Sequence, residues 1–322
     1  MRILIIGGTV FLGRHLVTEA LKRGHHVTTF NRGTHDLDEQ SAVVKVKGDR
    51  ETDIHLLAQQ KWDAIIDTCG QAPQTVQKSA SALHQCAPHY TFISSISAYK
   101  AFPKPGLNEA NELRDADEEN YGDQKAACER VVLKEANASL IVRPGLIVGP
   151  YDPSDRFTYW PTRIKRGGAV LAPGRPQRQI QFIDVRDLSA WIIECLEQRT
   201  TGAFNATGPN DVLTMLEFLN LCRKSLNETA ELVWYSDQEL LDLKIDPWMQ
   251  MPLWVPESDE EHLGFMALDC SKAWTSGLKS RRIEETVADT LAWDQTRDPQ
   301  ADRKAGLAKD VEEGVLKSRS TL

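Results

Sequence analysis

Three residues of the chain have the types and spacing needed for proton transfer. Tyr121 and Lys125 are four residues apart, and Ser95 precedes them. Residues four apart share one face of a helix, so a phenol and an ammonium group would lie side by side there. Because a nearby cation favours phenolate, we expect Lys125 to lower the pKa of Tyr121 towards neutral pH. Ser95 would hydrogen-bond a substrate oxygen and stabilise charge that develops on it.

A glycine-rich turn near the start of the chain has the pattern of a dinucleotide site. Residues 6–13 read IGGTVFLG, between an aliphatic run and a segment with helical spacing of apolar residues. Glycines let the backbone approach a pyrophosphate, and the following helix directs its first amides at the phosphate charge. A central glycine is missing, because Val10 stands there and could shift the pyrophosphate. A purely structural turn is the alternative. The residues predicted to hold the cofactor here are Gly7, Gly8, Thr9, Val10, Phe11, Leu12 and Gly13.

The end of the second predicted strand indicates which dinucleotide is bound. An acidic residue there would bind the 2′-hydroxyl of the adenosine ribose and favour NAD. Here Phe30 is followed by Asn31 and Arg32. Arginine can bind a 2′-phosphate through paired hydrogen bonds, so we predict NADP. NAD is the alternative if Arg32 is only a solvated surface residue.

The elements that must position these residues alternate between strands and helices. Short apolar runs such as residues 2–6 and 26–30 are followed by segments with helical spacing, such as residues 11–23. This alternation predicts an α/β fold with a doubly wound parallel sheet of the Rossmann type and helices on both faces. It ends after residue 150, and residues 151–180 are expected to be rich in loops. We assign residues 1–150 and 181–205 to a dinucleotide-binding domain. Residues 151–180 and 206–295 form a smaller substrate-binding cap, and residues 296–322 form a polar C-terminal tail, either a weak helix or partly disordered.

Composition bounds the partners of the chain. Its net charge of -8 gives no electrostatic reason to bind nucleic acid or an anionic membrane. No apolar run reaches the roughly 18 residues that span a bilayer, and the N-terminus has no signal-peptide pattern. The six cysteines form no CxxC pair and have no metal-ligand spacing, so we assign no metal. We expect a soluble cytoplasmic protein whose partner is a small-molecule substrate.

Considered in order, these motifs resemble those of extended or atypical short-chain dehydrogenases/reductases, of the NAD(P)-dependent epimerase/dehydratase type. The resemblance covers roughly residues 1–295 and, as a combination, is highly specific for the fold. The matching segments are residues 7–13, Gly48-Asp49, Phe92-Ile93-Ser94-Ser95, Tyr121 with Lys125, Arg143-Pro144-Gly145, Val148-Gly149-Pro150, residues 183–187 and residues 204–209.

The resemblance implies further site residues. Ser95, Tyr121 and Lys125 match the catalytic positions of the family, Asp49 would contact the adenine, and Pro144 to Ile147 would lie beside the nicotinamide. Many members form homodimers through the helix that carries the catalytic tyrosine, so a homodimer is also implied. Beyond the glycine turn, the cofactor residues expected are Asn31, Arg32, Asp49, Thr68, Cys69, Ser94, Tyr121, Lys125, Pro144 and Leu146.

Two departures from the family pattern bear on the substrate. Nucleotide-sugar members usually carry an asparagine where this chain has Leu146, and often an arginine where it has Ile180. Both missing residues would contact a diphosphate, so a smaller substrate is favoured. Arg156 and Gln181 are candidate substrate contacts. The segment 155–160, which carries Arg156 among aromatic residues, is open to a second interpretation as a packed hinge between domains.

These observations predict hydride transfer between NADP(H) and a small carbonyl or alcohol, with Tyr121 as the acid/base. The first alternative is a sugar or nucleotide-sugar epimerase or dehydratase, which regenerates its cofactor and consumes none overall. The second is a dinucleotide- or RNA-binding protein without catalytic activity, in line with some atypical members that have a GGT-type turn. An intact Ser95, Tyr121 and Lys125 set and the net charge of -8 argue against that second alternative.

Overall fold

The structure, a computed structural model, describes residues 1–35, 42–115 and 120–320. Its elements follow in chain order. The first part contains β1 (Arg2–Ile6), α1 (Phe11–Lys22), β2 (His26–Asn31), β3 (Val44–Lys47), β4 (Ala64–Asp67), α2 (Pro73–Leu83), β5 (Tyr90–Ile93), α3 (Tyr121–Glu135), β6 (Ser139–Pro144) and β7 (Ile147–Val148). The second part contains α4 (Tyr159–Lys165), β8 (Gly168–Pro173), β9 (Gln179–Ile180), β10 (Ile183–Asp184), α5 (Val185–Glu197), β11 (Gly202–Ala206), β12 (Leu213–Thr214), α6 (Met215–Leu226), β13 (Ala230–Tyr235), α7 (Asp237–Asp242), α8 (Ser271–Thr275), α9 (Ile283–Asp294) and α10 (Lys309–Ser320).

Seven parallel strands form the central sheet, in the order β11-β6-β5-β4-β1-β2-β3. Successive side chains of a strand point to opposite faces. In β1, Ile3 and Ile5 therefore join one apolar cluster, while Leu4 and Ile6 join the cluster on the other face. All four side chains are buried, as expected for a strand covered on both sides.

Helices cover both faces of this sheet. α1 and α5 pack together on one face, and α2 and α3 pack together on the other. The predicted doubly wound fold is confirmed. Between β3 and β4 the chain forms a single 3₁₀ turn, Ile54–Leu56. Within the described residues, no helix is both long and apolar enough to cross a membrane.

A further apolar cluster, separate from the two that flank the sheet, lies in the C-terminal half. It is built by α4, α6, α9 and the parallel pair of β8 and β13. The segment 151–180 is therefore less rich in loops than its glycine, proline and arginine content indicated. Trp160 and Ile164 are four residues apart and fully buried, so they give α4 an apolar face. The aromatic content of this segment builds part of the cap core.

The described part of the segment from residue 296 onwards packs against the rest of the protein. Glu312 in α10 is buried, pairs with Arg163 of α4, and accepts a hydrogen bond from the Leu171 amide at 3.1 Å. Nearer its start, Arg297 pairs with Asp155. This charge-mixed C-terminal segment packs against the protein because its charged side chains pair with buried residues. Such distant partners cannot be identified from a sequence pattern.

Candidate active site

A cavity of about 1160 Å³ opens at the carboxyl ends of β1, β4, β5 and β6. The strand order reverses between β1 and β4, and open α/β sheets bind ligands at such a point. All the predicted catalytic and cofactor residues line this cavity, together with Arg156. They are Gly7, Gly8, Thr9, Val10, Phe11, Leu12, Gly13, Asn31, Arg32, Asp49, Thr68, Cys69, Ser94, Ser95, Tyr121, Lys125, Pro144 and Leu146.

The glycine turn requires glycine for two separate reasons. Gly7 has a φ of +100°, and a Cβ there would lie 2.3 Å from Thr68 Oγ1. A Cβ on Gly13 would lie 2.7 Å from Gly8 Cα, so only glycine lets α1 approach the turn this closely. Val10 is the residue before α1, and its side chain makes no capping hydrogen bond in the described structure. The first amides of α1 thus have no side-chain competitor, which fits a bound pyrophosphate.

At the adenosine end of the cavity, Asn31 and Arg32 have different roles. The Asn31 amide donates to the Gly7 carbonyl at 3.0 Å, and its oxygen accepts from the Gly33 amide at 2.9 Å. Asn31 therefore shapes the turn, with one N–H and one oxygen lone pair left for a ligand. Arg32 is exposed at the cavity wall, where a 2′-phosphate would be accessible to it.

Arg50 is a cavity residue that the sequence reasoning did not select. It makes a two-point ion pair with Asp67 and donates to Ser79 Oγ at 2.7 Å. Burial alone would lower the pKa of Arg50, but Asp67 raises it overall. The neighbouring Cys69 thiol has its pKa raised to about 11 by burial and by Asp67, so it stays protonated at neutral pH. Only the position after the Gly48-Asp49 motif could have drawn attention to Arg50.

Local structure places Tyr121 at the first position of α3. Asn120 caps this helix by accepting hydrogen bonds from the Gly122 and Asp123 amides, while Asp123 reaches back to the Asn120 amide. Gly122 lies against the segment that follows β5, and a Cβ there would be 2.3 Å from the Ser97 carbonyl oxygen. The helix start can therefore approach Ser95, which hydrogen-bonds Tyr121.

Lys125 is buried and bonded to the backbone. Its ammonium group donates to the Gly70 carbonyl at 2.7 Å and to the Ile93 carbonyl at 2.9 Å. Burial lowers the pKa of Lys125, and Asp67 acts in the opposite direction. The side chain thus joins α3 to the ends of β4 and β5. A fixed ammonium group at this depth is suited to holding a ribose hydroxyl of the cofactor.

The expected lowering of the Tyr121 pKa by Lys125 is wrong. Desolvation of the phenol by the surrounding protein raises its pKa, although 51% of the Tyr121 residue is exposed. The hydrogen bond from Ser95 and the positive charge of Arg156 oppose the rise. Lys125 Nζ lies 5.8 Å from the centre of the Tyr121 ring, and it donates two hydrogen bonds to backbone carbonyl groups. Arg156 is thus the cation that acts on this phenol.

A buried network behind the site fixes α3 against the sheet. Ser94 Oγ donates to Glu129 of α3 at 2.5 Å, and Arg143 of β6 makes a two-point ion pair with the same carboxylate. Arg143 also donates to the Tyr99 hydroxyl at 3.0 Å. Ser94 lines the cavity as predicted, but its hydroxyl serves this network. Arg143 and Glu129 therefore position the helix that carries Tyr121.

The substrate side of the cavity contains Arg156, Asp152, Trp248 and Phe265. Gln181, the other candidate substrate contact, does not line it. The Gln181 amide donates to the Leu268 carbonyl at 3.0 Å and accepts from the Leu268 amide at 2.8 Å. Both ends of that side chain bond the backbone of Leu268, so Gln181 is a structural residue here.

This geometry agrees with a comparison against known families. The model of the NAD dependent epimerase/dehydratase family matches residues 3–206. The chain belongs to this family. The epimerase/dehydratase family consists of enzymes, and the chain is accordingly an enzyme.

Individual relatives of this chain are diverse. The chloroplast stem-loop binding protein of 41 kDa b of Arabidopsis thaliana is 26% identical over 259 residues, which are 74% of this chain and 67% of that protein. The 2-alkyl-3-oxoalkanoate reductase of Stenotrophomonas maltophilia (strain K279a) is 29% identical over 182 residues, 47% of this chain and 52% of that protein. The crystal structure of UDP-glucuronic acid 4-epimerase from Bacillus cereus in complex with NAD has a TM-score of 0.68 and 17% identity. The aligned region covers 92% of this chain and 97% of the Bacillus cereus chain.

The comparisons change the order of the functions that the sequence left open. They confirm the resemblance and the fold, and they favour the epimerase/dehydratase alternative over hydride transfer to a small carbonyl. The preference for NADP over NAD stays a prediction. The distant solved structures establish the fold, and the chemistry must be argued from the residues of the cavity.

Proposed function

We propose that this enzyme is a nicotinamide-dinucleotide-dependent epimerase or dehydratase that acts on a hydroxyl-bearing, sugar-like substrate. One observation carries the proposal: a single cavity joins the glycine turn to Ser95, Tyr121 and Lys125. A dinucleotide extended from the turn along the strand ends would bring its nicotinamide to the end of the cavity where Tyr121 lies. The family match supports the same activity.

Tyr121 would move the proton of the reacting hydroxyl group. As phenolate it removes the hydroxyl proton while the carbon loses a hydride, which leaves a carbonyl carbon. When substrate binds, the single Ser95 hydroxyl proton would turn from Tyr121 to the same substrate oxygen and stabilise its charge. When bound, the dinucleotide accepts the hydride and returns it, so an epimerase delivers it to the opposite face and consumes no cofactor. Tyr121 returns its proton in that second half.

Lys125 would hold the cofactor in register with this chemistry. Its ammonium group has three donors, of which two bond the Gly70 and Ile93 carbonyls. The third remains for a ribose hydroxyl. Leu146 is largely buried at the cavity wall and would help to exclude water from the nicotinamide side.

We further propose that NADP is the preferred dinucleotide. Arg32 lines the adenosine end of the cavity, and no acidic side chain follows β2 directly. Asn31 is already bonded to Gly7 and Gly33. A 2′-phosphate would therefore meet a guanidinium group, whereas a 2′-hydroxyl would find no carboxylate there.

Net reduction of a carbonyl compound is the second candidate function. It gains support from the similarity to the Stenotrophomonas reductase and from Leu146 and Ile180, which stand where diphosphate contacts are expected. The stem-loop binding named in the Arabidopsis relative is not extended to this chain, because the net charge of -8 opposes contact with a phosphate backbone.

The two enzymatic candidates differ in their use of cofactor. The purified protein is saturated with NADP or NAD and incubated with sugars and nucleotide sugars, and epimers are followed by NMR together with the absorbance of reduced nicotinamide. We expect a new stereoisomer or a dehydrated product to appear while the total amount of oxidised cofactor stays constant. Stoichiometric consumption of NADPH with a carbonyl compound would instead establish the reductase.

The Tyr121→Phe variant tests the assigned chemistry. It keeps the ring but removes the proton-transfer group, and we expect kcat to fall by about 10²- to 10⁴-fold. Tyr151→Phe is the matched control, because Tyr151 packs its ring against Arg14 and does not line the cavity. Full activity of Tyr121→Phe would remove Tyr121 from the mechanism.

A further inference from the structure

Arg156 faces the cavity without an ionic partner among the described residues. Its only hydrogen bond there joins Nε to Ser154 Oγ at 3.2 Å. Its guanidinium carbon lies 5.4 Å from the centre of the Trp248 ring, an arrangement typical of a cation–π contact. The flat guanidinium group is thus supported on one side by an aromatic ring, and its NH groups remain available to a ligand.

Asp152, the carboxyl group whose charge acts on Arg156, forms its hydrogen bonds with other residues. Asp152 is buried and accepts hydrogen bonds from the Ser154 amide and the Ser154 hydroxyl, both at 2.9 Å. Burial raises the pKa of Asp152 and lowers that of Arg156. The Asp152 carboxyl group is hydrogen-bonded to other donors, so the partly desolvated Arg156 guanidinium group would be stabilised by binding an anionic ligand.

The position of Arg156 relates this anion to the reacting carbon. Arg156 and Tyr121 line the same cavity, and the positive charge of Arg156 lowers the pKa of the phenol. An anionic group bound to Arg156 would therefore lie close to the hydroxyl group that Tyr121 deprotonates. The diphosphate contacts expected farther along the family's site are absent at Leu146 and Ile180. This combination favours an anion on the reacting part of the substrate.

The C-terminal segment holds both Arg156 and Trp248 in place. Asp155, with a φ of +63°, pairs with Arg297 and accepts from the Lys304 amide at 2.9 Å. Trp248, with a φ of +66°, precedes Met249, whose carbonyl accepts from the Gly306 amide at 2.7 Å. Left-handed backbone at a residue other than glycine costs about 1 kcal/mol or more, so surrounding contacts must maintain it. All three contacts come from residues 297–306.

We propose that Arg156, supported by Trp248, binds a carboxylate of the substrate next to the reacting carbon, and that residues 297–306 position this pair. The inference rests on the proposed function and narrows its substrate to hydroxy acids such as uronic acids. Carboxylate and diphosphate oxygens would both pair with a guanidinium fork. The experiment must therefore separate these two sources of anion.

Calorimetric titration of the NADP-saturated protein supplies the test. D-glucuronate and D-glucose differ only at the carboxylate, and UDP supplies a diphosphate without a sugar. We expect D-glucuronate to bind at least about 10-fold more tightly than D-glucose, and Arg156→Gln to remove this difference. Arg156→Lys should retain part of it. The control is Arg282→Gln, because Arg282 is exposed and pairs with Glu284.

Two results would overturn the proposal. One is equal binding of D-glucuronate and D-glucose by the unaltered protein. The other is loss of UDP binding, rather than of the D-glucuronate preference, in Arg156→Gln; that would assign the arginine to a diphosphate. Tyr121→Phe separates this proposal from the proposed function, because it should abolish turnover and leave the D-glucuronate preference intact. A preference without turnover in the unaltered protein would contradict the proposed function alone.

The positioning role of the C-terminal segment has its own readout. Arg297→Gln should weaken D-glucuronate binding by about 5- to 10-fold while NADP binding stays close to that of the unaltered protein. Arg297→Lys, which keeps a charge for Asp155, should recover part of the loss. Equal weakening of NADP and D-glucuronate would show a general structural effect and contradict the positioning role.

Discussion

Replacing Gly122 with alanine tests whether the close approach of α3 to Ser97 creates the catalytic geometry. The new Cβ would lie 2.3 Å from the Ser97 carbonyl oxygen, and 2.7 Å from Arg114 Nε. The carbonyl belongs to the backbone between β5 and Leu107 and cannot rotate away as a flexible side chain could. Relieving the contact requires the start of α3 to move by about 1 Å.

This displacement acts directly on Tyr121, the preceding residue. A shift of about 1 Å can reduce catalysis by about 10²-fold, and we expect that loss in kcat because the hydrogen bond between Tyr121 and Ser95 would lengthen. The effect on folding is smaller. Overpacking costs about 1–3 kcal/mol, and alanine recovers about 1 kcal/mol of helix propensity. The variant should therefore fold, with a free energy of unfolding lower by up to about 2 kcal/mol.

Steady-state kinetics and urea denaturation measure the two effects separately. Gly314→Ala is the matched control, because Gly314 also lies in a helix and a Cβ there would meet no atom within 4 Å. It should keep full kcat and gain slightly in stability. Unchanged kcat in Gly122→Ala would refute the argument that this contact sets the position of the phenol.

Three further outcomes follow from the same structure. Arg32→Gln should weaken NADP binding by about 10-fold and leave NAD binding unchanged in a fluorescence titration, and equal loss for both would contradict a 2′-phosphate contact. In the oxidative direction kcat/KM should rise with pH, because Tyr121 must lose its proton and its pKa is raised; Arg156→Gln, which removes a charge that lowers this pKa, should move the rise to higher pH. Glu312→Ala leaves Arg163 buried without its carboxylate, so the free energy of unfolding should fall by about 3–5 kcal/mol in urea, whereas a free tail would give no change.

The parts of the site that sequence could predict depend on local patterns. The turn from Gly7 to Gly13 needs only a strand before it and a helix after it, and both are visible as periodicity within about 20 residues. Tyr121 and Lys125 share a helix face by spacing alone. Such relations survive folding because the backbone within one element fixes them.

The missed residues depend on contacts between distant segments. Arg50 enters the cavity wall because Asp67 and Ser79 lie opposite it, and neither is a sequence neighbour. The expected effect of Lys125 on the Tyr121 pKa failed for the same reason. Spacing placed the two side chains on one face, but the Gly70 and Ile93 carbonyls direct the ammonium group elsewhere.

The segment 155–160 shows how one stretch can satisfy two interpretations. Phe157 and Trp160 are fully buried in the apolar cluster of the C-terminal half, as a packed hinge requires. Arg156, between Asp155 and Phe157, points to the cavity. Arg156 faces the cavity while its neighbour Phe157 is buried because Asp155 adopts a left-handed conformation. Contacts with Arg297 and the Lys304 amide maintain this conformation. The packing of Phe157 and Trp160 thus directs Arg156 to the cavity. A substitution in the C-terminal segment should therefore alter substrate binding, although that segment makes no contact with substrate.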